Sequence, residues 1–472
     1  MLPAVTGLIS GLAFLNNSLG ALVLVGLLPF VWYTRQYTSL SLRQIFFDCW
    51  RGAFVFTLIA GAWTLQTEPS NWLGIIGTTA TFVKITTWIL IAAWSSLSMA
   101  IILGLCTYWA RSKQVLLLVL LPFAWALAEL VRSYSLALFF IGPGSSLSPN
   151  WNFGALGLAM TATPFAFLGR FVGLYGLSAV AVVINIAIYL TIIKRFKLAV
   201  SVMGVVLVLN FVAWRLYAPS SNHYLHVVAV YLHNDGGSLN PWGSIDLPPK
   251  DTDVLALPEY SHFFENPHYQ EFAEANFADN TAIVTTQVSK GASPVSNNLT
   301  YYSNRTGFVS VQSKTFLAPY GEYLPYSATE LLKAVGQQAA LTRFRHDDQV
   351  RKGKKPEQVV TVNGIKIGGL ACSGVLNLNE YRRLAHEGAD VLTNSASLSL
   401  LETAGLYRVQ EMYQNRFHAI ANAKPFVQSA RSGEAYIISS DGHVIASASD
   451  KSRLLEATVP VQSKRTVYSW LP

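Results

Sequence analysis

What this sequence has least of is cysteine and charge. Its 472 residues include three cysteines and 13% charged residues, against 51% hydrophobic ones. Thiols at positions 49, 106 and 372 are too few and too far apart for a disulfide framework, and neither their spacing nor any HxxxH-type helix supplies a metal-ligand cluster. No metal and no cofactor is expected. There is no internal repeat and no low-complexity tract, which excludes a solenoid. The net charge of +8 would raise the question of nucleic acid if it belonged to a globular surface. It does not: residues 1–217 hold 12 Lys/Arg and 3 Asp/Glu, or +9, whereas residues 218–472 hold 22 and 23, or −1. No nucleic-acid partner is expected.

The scarcity of charge comes from the first half. Apolar runs at about 3–17, 19–34, 52–66, 86–109, 115–138, 163–193 and 197–217 make seven candidate membrane spans, the first two short and separated only by Asn16, Asn17 and Ser18. Basic residues gather in alternate connections: Arg35, Arg43 and Arg51, then Arg111 and Lys113, then Lys194, Arg195 and Lys197. By the positive-inside rule these face the cytoplasm, and everything after residue 217 lies on the outer side. No basic stretch precedes the first run, so a retained polytopic membrane domain, 1–217, is expected rather than a cleaved signal. Trp125, Glu129 and Arg132 share one helical face there, which fits an ion pair between helices at least as well as a catalytic role. Cys49 and Cys106 lie in or near spans and read as structural.

From residue 224 the runs shorten. Tyr224–Leu232, Asp253–Pro258, Ala282–Val288, Gln358–Cys372 and Ala389–Asn394 read as strands, with Asn363-Gly364 and Asp441-Gly442 as hairpin turns and a helix near 401–423. This is an α/β domain with sheets covered by helices. The run Arg351-Lys352-Gly353-Lys354-Lys355 reads as a solvated loop.

Chemistry is sought at strand ends, where α/β domains place their sites. Glu259 follows the strand-like Val254-Leu255-Ala256-Leu257-Pro258. Lys314 precedes Pro319-Tyr320-Gly321-Glu322-Tyr323-Leu324-Pro325, and Cys372 follows Ile365–Ala371. Each alone is ordinary: a turn carboxylate, a surface lysine, a small buried hydrophobe. Together they suit a nucleophile with its helpers. A thiol with a pKa near ~8.5 needs a base or a neighbouring cation, and a lysine with a backbone N–H such as that of Ser373 can stabilise an oxyanion.

Leu257-Pro258-Glu259, Lys314 with Pro319–Pro325, and Ala371-Cys372 resemble the nitrilase or carbon–nitrogen hydrolase superfamily. With the multi-span N-terminal half, the chain resembles the apolipoprotein N-acyltransferase family, supported by Trp125, Glu129, Arg132, Arg416 and Lys424-Pro425 leading into Arg431-Ser432-Gly433. The resemblance implies an α-β-β-α sandwich over residues 218–472, outside a bacterial inner membrane. It implies acyl transfer through a thioester on Cys372, with Glu259 as base, Lys314 as oxyanion stabiliser and Glu322 in support. A phospholipid would be the acyl donor and the N-terminal cysteine of an apolipoprotein the acceptor.

The sequence departs from the family where an aromatic and a glutamate would follow the cysteine; here stand Ser373 and Gly374. Asn394–Leu400 replaces an Asn-Asp-x-Trp-Phe loop, Val230–Asn234 lacks a Gln-x-Asn pattern, and the stretch before Glu259 looks one helix short. The family also continues into a last span beyond the point where this sequence ends. Two alternatives therefore stand beside lipoprotein N-acylation: a specialised relative, such as one associated with conjugal transfer, acting on an acyl or amide group of another envelope substrate, and an inactive membrane scaffold.

Overall fold

The computed structural model describes all residues except 1, 68–76, 219–222, 233–246, 290–293, 335, 402–403, 449–453 and 472. The chain divides into two compact units. One comprises Met1–Phe140, Leu147–Leu216 and Ala404–Phe417; the other comprises Ile141–Ser146, Tyr217–Thr403 and His418–Pro472.

The first unit is built from apolar helices. Among the described residues six helical segments are long and apolar enough to cross a membrane: Asn17–Ser39, Leu42–Gln66, Ala80–Ala110, Gln114–Phe139, Ala166–Ile192 and Phe196–Leu216. The first expected run forms a shorter helix, Leu2–Leu12. Leu42–Ala60 begins at a capping box in which Ser41 and Gln44 satisfy each other's backbone N–H, so Arg43 and Arg51 lie within a helix rather than in a connection. Phe82, Trp109, Val115, Phe123 and Val200 present large exposed apolar side chains, as lipid-facing helices do. Asn185 ties down the broken segment after Asn17, accepting from Leu27 N–H at 3.0 Å and donating to Val23 O at 2.9 Å. Glu129 accepts from Trp125 Nε1, from Leu156 N–H and from Ser178 Oγ. Arg132 donates to Phe153 O at 2.9 Å. Three neutral donors thus hold the buried carboxylate, with Arg132 on the same helical face. Within this unit, Gln410 and Tyr413 of the helix Gly405–Asn422 donate to the carbonyls of Ala60 and Ala13.

The second unit is a two-sheet α/β domain. Its strands are β1 Tyr224–Leu232, β2 Val254–Ala256, β3 Ala282–Val288, β4 Asn297–Ser303, β5 Gly307–Ser313 and β6 Val360–Val362. β7 Ile365–Ala371, β8 Val391–Ser397, β9 Phe426–Arg431, β10 Tyr436–Ile438, β11 Val444–Ser447 and β12 Leu454–Pro460 complete the set. The order is β5-β4-β3-β2-β1-β9-β8-β7-β6, with β12 on β1 and β10–β11 beside β9. Strands β1, β2, β3 and β7, β8, β9 run parallel, and the halves join where Tyr231 pairs with Ala430 and Leu232 with Arg431. The parallel strands are buried over most of their length because both faces are covered. The halves meet face to face: Gly369 N–H donates to Tyr301 OH at 3.1 Å, and a Cβ at Gly369 would stand 2.8 Å from that hydroxyl. On one outer face Phe263, Phe264, Ala273 and Phe277 pack on Val228, Leu255 and Ile283; on the other, Tyr381 packs on Phe426. This is the expected α-β-β-α arrangement. Asn363-Gly364 and Asp441-Gly442 turn β6–β7 and β10–β11, as their positive-φ preference predicts. The Gln-x-Asn position, 233–234, and most of the stretch that looked a helix short lie outside the described residues.

Candidate active site

Parallel strands collect their carboxyl ends on one side, and the candidate residues lie there. Glu259 leaves β2 after Pro258, and its N–H donates to Ala396 O at 3.2 Å, fastening the end of β2 to the end of β8. The next residue, Tyr260, has φ +57° and donates its N–H to Thr286 Oγ1 at 3.2 Å. Lys314 follows β5. Its N–H donates to Asn297 O at 2.8 Å, so the β4–β5 hairpin sets Lys314 and Asn297 side by side. Glu322 sits in the Pro-Tyr-Gly-Glu-Tyr-Leu-Pro turn, where Tyr320 has φ +64° and Tyr320 N–H donates to Tyr323 O at 2.8 Å.

These side chains converge. Lys314 Nζ donates to Glu259 Oε1 at 3.2 Å and to Glu322 at 2.9 Å, while Glu259 Oε1 also accepts from Asn297 Nδ2 at 2.6 Å. Glu322 accepts in addition from Ala318 N–H at 2.8 Å. Glu259, Lys314 and Glu322 are all buried, at 2%, 2% and 5% exposure. Cys372, half-buried as a residue, is the least covered of the group.

Cys372 begins the short turn Cys372–Leu376 with φ +45°, a conformation a β-carbon-bearing residue adopts at a cost in strain. Its thiol donates to Ser397 O at 3.3 Å and lies close enough to Glu259 for the two to shift each other's titration. Asn394 Nδ2 donates to Cys372 O at 3.3 Å and His418 Nε2 pairs with Val375 O at 2.6 Å, bracing the turn from both ends. Ser373 turns its hydroxyl inward to Phe316 O at 2.7 Å, and a Cβ at Gly374 would stand 2.6 Å from Leu370 Cβ, leaving no room for a side chain. The first N–H groups of a helical turn have no partner within it, which leaves that of Ser373 available for an oxyanion.

The electrostatics follow from burial. Burial raises the Glu259 carboxyl above the usual carboxylate range; the Lys314 ammonium opposes the shift and the Glu322 carboxylate adds to it. Burial alone would depress Lys314, yet the two carboxylates outweigh it and hold the ammonium well above its ordinary value. Desolvation, and then the charge of Glu259, push the Cys372 thiol up. The resting nucleophile is therefore a thiol beside Glu259, not a free thiolate, and it acts by giving its proton to the Glu259 carboxylate as it attacks. Among the described residues no group of three or more His, Cys, Asp or Glu side chains could hold a metal ion.

All five expected residues, Glu259, Lys314, Glu322, Cys372 and Ser373, lie in this one place. Sequence reasoning missed Asn297, whose contact depends on the β4–β5 pairing, and His418, which faces the turn from a helix. It also missed the role of the basic run: Lys352 Nζ donates to Ser145 O and Ser146 Oγ, and Gly353 N–H donates to Lys314 O at 2.8 Å. Arg351, Lys354 and Lys355 are exposed, as in a solvated loop, while Lys352 and Gly353 buckle that loop to Lys314 and to Ser145–Ser146.

Residues 245–468 match the carbon–nitrogen hydrolase family. An apolipoprotein N-acyltransferase of Shewanella oneidensis is 22% identical over 382 residues, covering 75% of this chain and 70% of that protein. Among solved structures, a carbon–nitrogen hydrolase from Helicobacter pylori is 16% identical with a TM-score of 0.36, covering 50% of this chain and 89% of that one. The C. elegans NitFhit protein is 13% identical with a TM-score of 0.36, covering 51% and 61%. The two-sheet unit is a carbon–nitrogen hydrolase domain. Carried together with six membrane-length apolar helical segments among the described residues, it gives the chain the combination of parts that a divergent relative of the apolipoprotein N-acyltransferases would have. It is a membrane protein and an enzyme of the acyl-transferring and hydrolytic kind.

Proposed function

We propose that the protein transfers an acyl chain from a membrane phospholipid, through a thioester on Cys372, to the N-terminal α-amine of an apolipoprotein. The observation that carries this reading is the convergence of Glu259, Lys314 and Cys372 at the strand ends of a chain with six membrane-length apolar helical segments among its described residues. Glu259 takes the thiol proton as sulfur attacks the ester carbonyl, and Lys314 with the Ser373 N–H stabilises the oxyanion. The tetrahedral intermediate collapses; the lysophospholipid oxygen leaves and takes the proton from Glu259. In the second half the amine attacks the thioester, Glu259 accepts its proton and returns it to the departing sulfur. Glu322 keeps Lys314 aimed. The clusters Arg35–Arg43, Arg111–Lys113 and Lys194–Lys197, at or near helix ends, support a bacterial inner-membrane protein whose catalytic domain faces outward.

One observation favours a specialised relative acting on another envelope substrate: the two positions after the nucleophile are turned inward or packed shut, at Ser373 and Gly374. Expression in a strain depleted of its own N-acyltransferase separates the readings. Restored growth, lost in Cys372→Ala, supports lipoprotein N-acylation. An acyl adduct on Cys372 without restored growth supports the specialised relative.

A further inference from the structure

Arg431 closes β9, and two connections tie it to the site. It is in register with Ser397, whose carbonyl accepts the Cys372 thiol at 3.3 Å. Its own Nη1 donates at 2.9 Å to the carbonyl of Tyr260, which is peptide-bonded to Glu259. The guanidinium therefore stands one residue from the carboxylate beside the thiol, on a strand paired with the thiol's acceptor.

Its binding capacity is largely unused. A guanidinium offers five N–H donors in a planar fork and stays charged throughout the physiological range. Among the described residues Arg431 makes one side-chain hydrogen bond and no ion pair, and its Nε–H is shielded from solvent without an acceptor. The residue as a whole is half-buried and so can be reached. Lys314, by contrast, is already engaged by Glu259 and Glu322, and its remaining role in the reaction is at the oxyanion. The edge of an arginine left open here is the kind that grips a phosphate through two parallel bonds.

We infer that Arg431 binds the phosphodiester of the acyl donor and so presents the donor's ester to Cys372. The identity of the donor rests on the acyl-transfer reading above. In a glycerophospholipid only the glycerol separates ester from phosphate, which matches a cation set beside the nucleophile. The acceptor brings an amine, which the cation would repel, so the anchor serves the first half of the reaction.

The test uses the full chain in detergent with Cys372→Ala, which removes the chemistry and leaves binding. The probes are dihexanoyl phosphatidylglycerol and dihexanoylglycerol, which has the same chains and no phosphate. Adding Arg431→Gln is expected to weaken phosphatidylglycerol binding roughly tenfold or more while leaving the neutral lipid unchanged. Arg431→Lys, which restores charge without the fork, is expected to fall between. Equal weakening for both lipids, or for neither, overturns the inference. Competition by soluble glycerol phosphate at the lipid's own concentration overturns the lipid as the source of the phosphate. Acylation of Cys372 is read separately in the wild-type chain, so its failure sinks the proposed function without being confused with a failure of Arg431.

Discussion

Glu322 holds Lys314 at 2.9 Å, closer than the 3.2 Å that separates the same ammonium from Glu259. The lysine is thus shared between two buried carboxylates of unequal claim, and the weaker claimant is the one that faces the thiol. Glu259 is left with a raised affinity for protons, which a base must have if it is to accept one from a thiol that is itself pushed up.

The pH profile should register this. A base works deprotonated, so activity falls as pH drops through the raised pKa of Glu259, and the acid limb lies above the ~4.3 of an ordinary glutamate. Glu322→Gln removes a negative charge that raises Glu259 and gives Lys314 wholly to it, so the limb moves to lower pH while the maximal rate falls. Steady-state rates of both proteins across pH 4–8 check the direction; an unmoved limb would show that Glu322 does not act on Glu259.

Lys314→Met leaves two buried carboxylates facing each other without their cation. Breaking such a pair costs about 3–5 kcal/mol, so the variant should melt well below wild type at pH 7. Lowering the pH lets Glu259 take a proton and relieves the repulsion, so the gap in melting temperature should narrow toward pH 5. Thermal melts of the full chain in detergent follow it.

Some of this architecture was legible in the sequence and some was not. Tyr224–Leu232 and Ala282–Val288 announce themselves by short runs rich in apolar and β-branched residues, because strands covered on both faces favour them. β4 and β5 went unseen because Asn297–Ser313 mixes polar and apolar residues, β5 having a largely open face. Glu259, Lys314 and Cys372 could be picked out as strand-end residues, but nothing in their spacing gives the 3.2 Å and 2.9 Å contacts, which arise from the strand order β5-β4-β3-β2 within one half-sheet. Asn297 is invisible for the same reason. His418 carries no local signal at all, since only tertiary packing puts it between Tyr381 and Phe426 and against Val375.

His418 offers a test by linkage. Burial holds its pKa down at about 4, against the ordinary 6.5 it regains on unfolding. The unfolded chain binds the extra proton between those values, so wild-type stability is full above pH 6.5 and declines as pH falls toward 4, by on the order of 3 kcal/mol. His418→Gln keeps a donor for Val375 O and cannot titrate. It should therefore lose less stability than wild type over that interval, and parallel melting curves for the two proteins would contradict the assignment.

The central claim is that Cys372 carries the acyl chain, and intact-mass analysis of the full-length protein incubated with phospholipid tests it most directly. The account predicts a gain of one fatty-acyl group, removed by neutral hydroxylamine as a thioester is, and absent from Cys372→Ala. Wild-type protein that gains no mass, or an adduct that persists in Cys372→Ala, would contradict it.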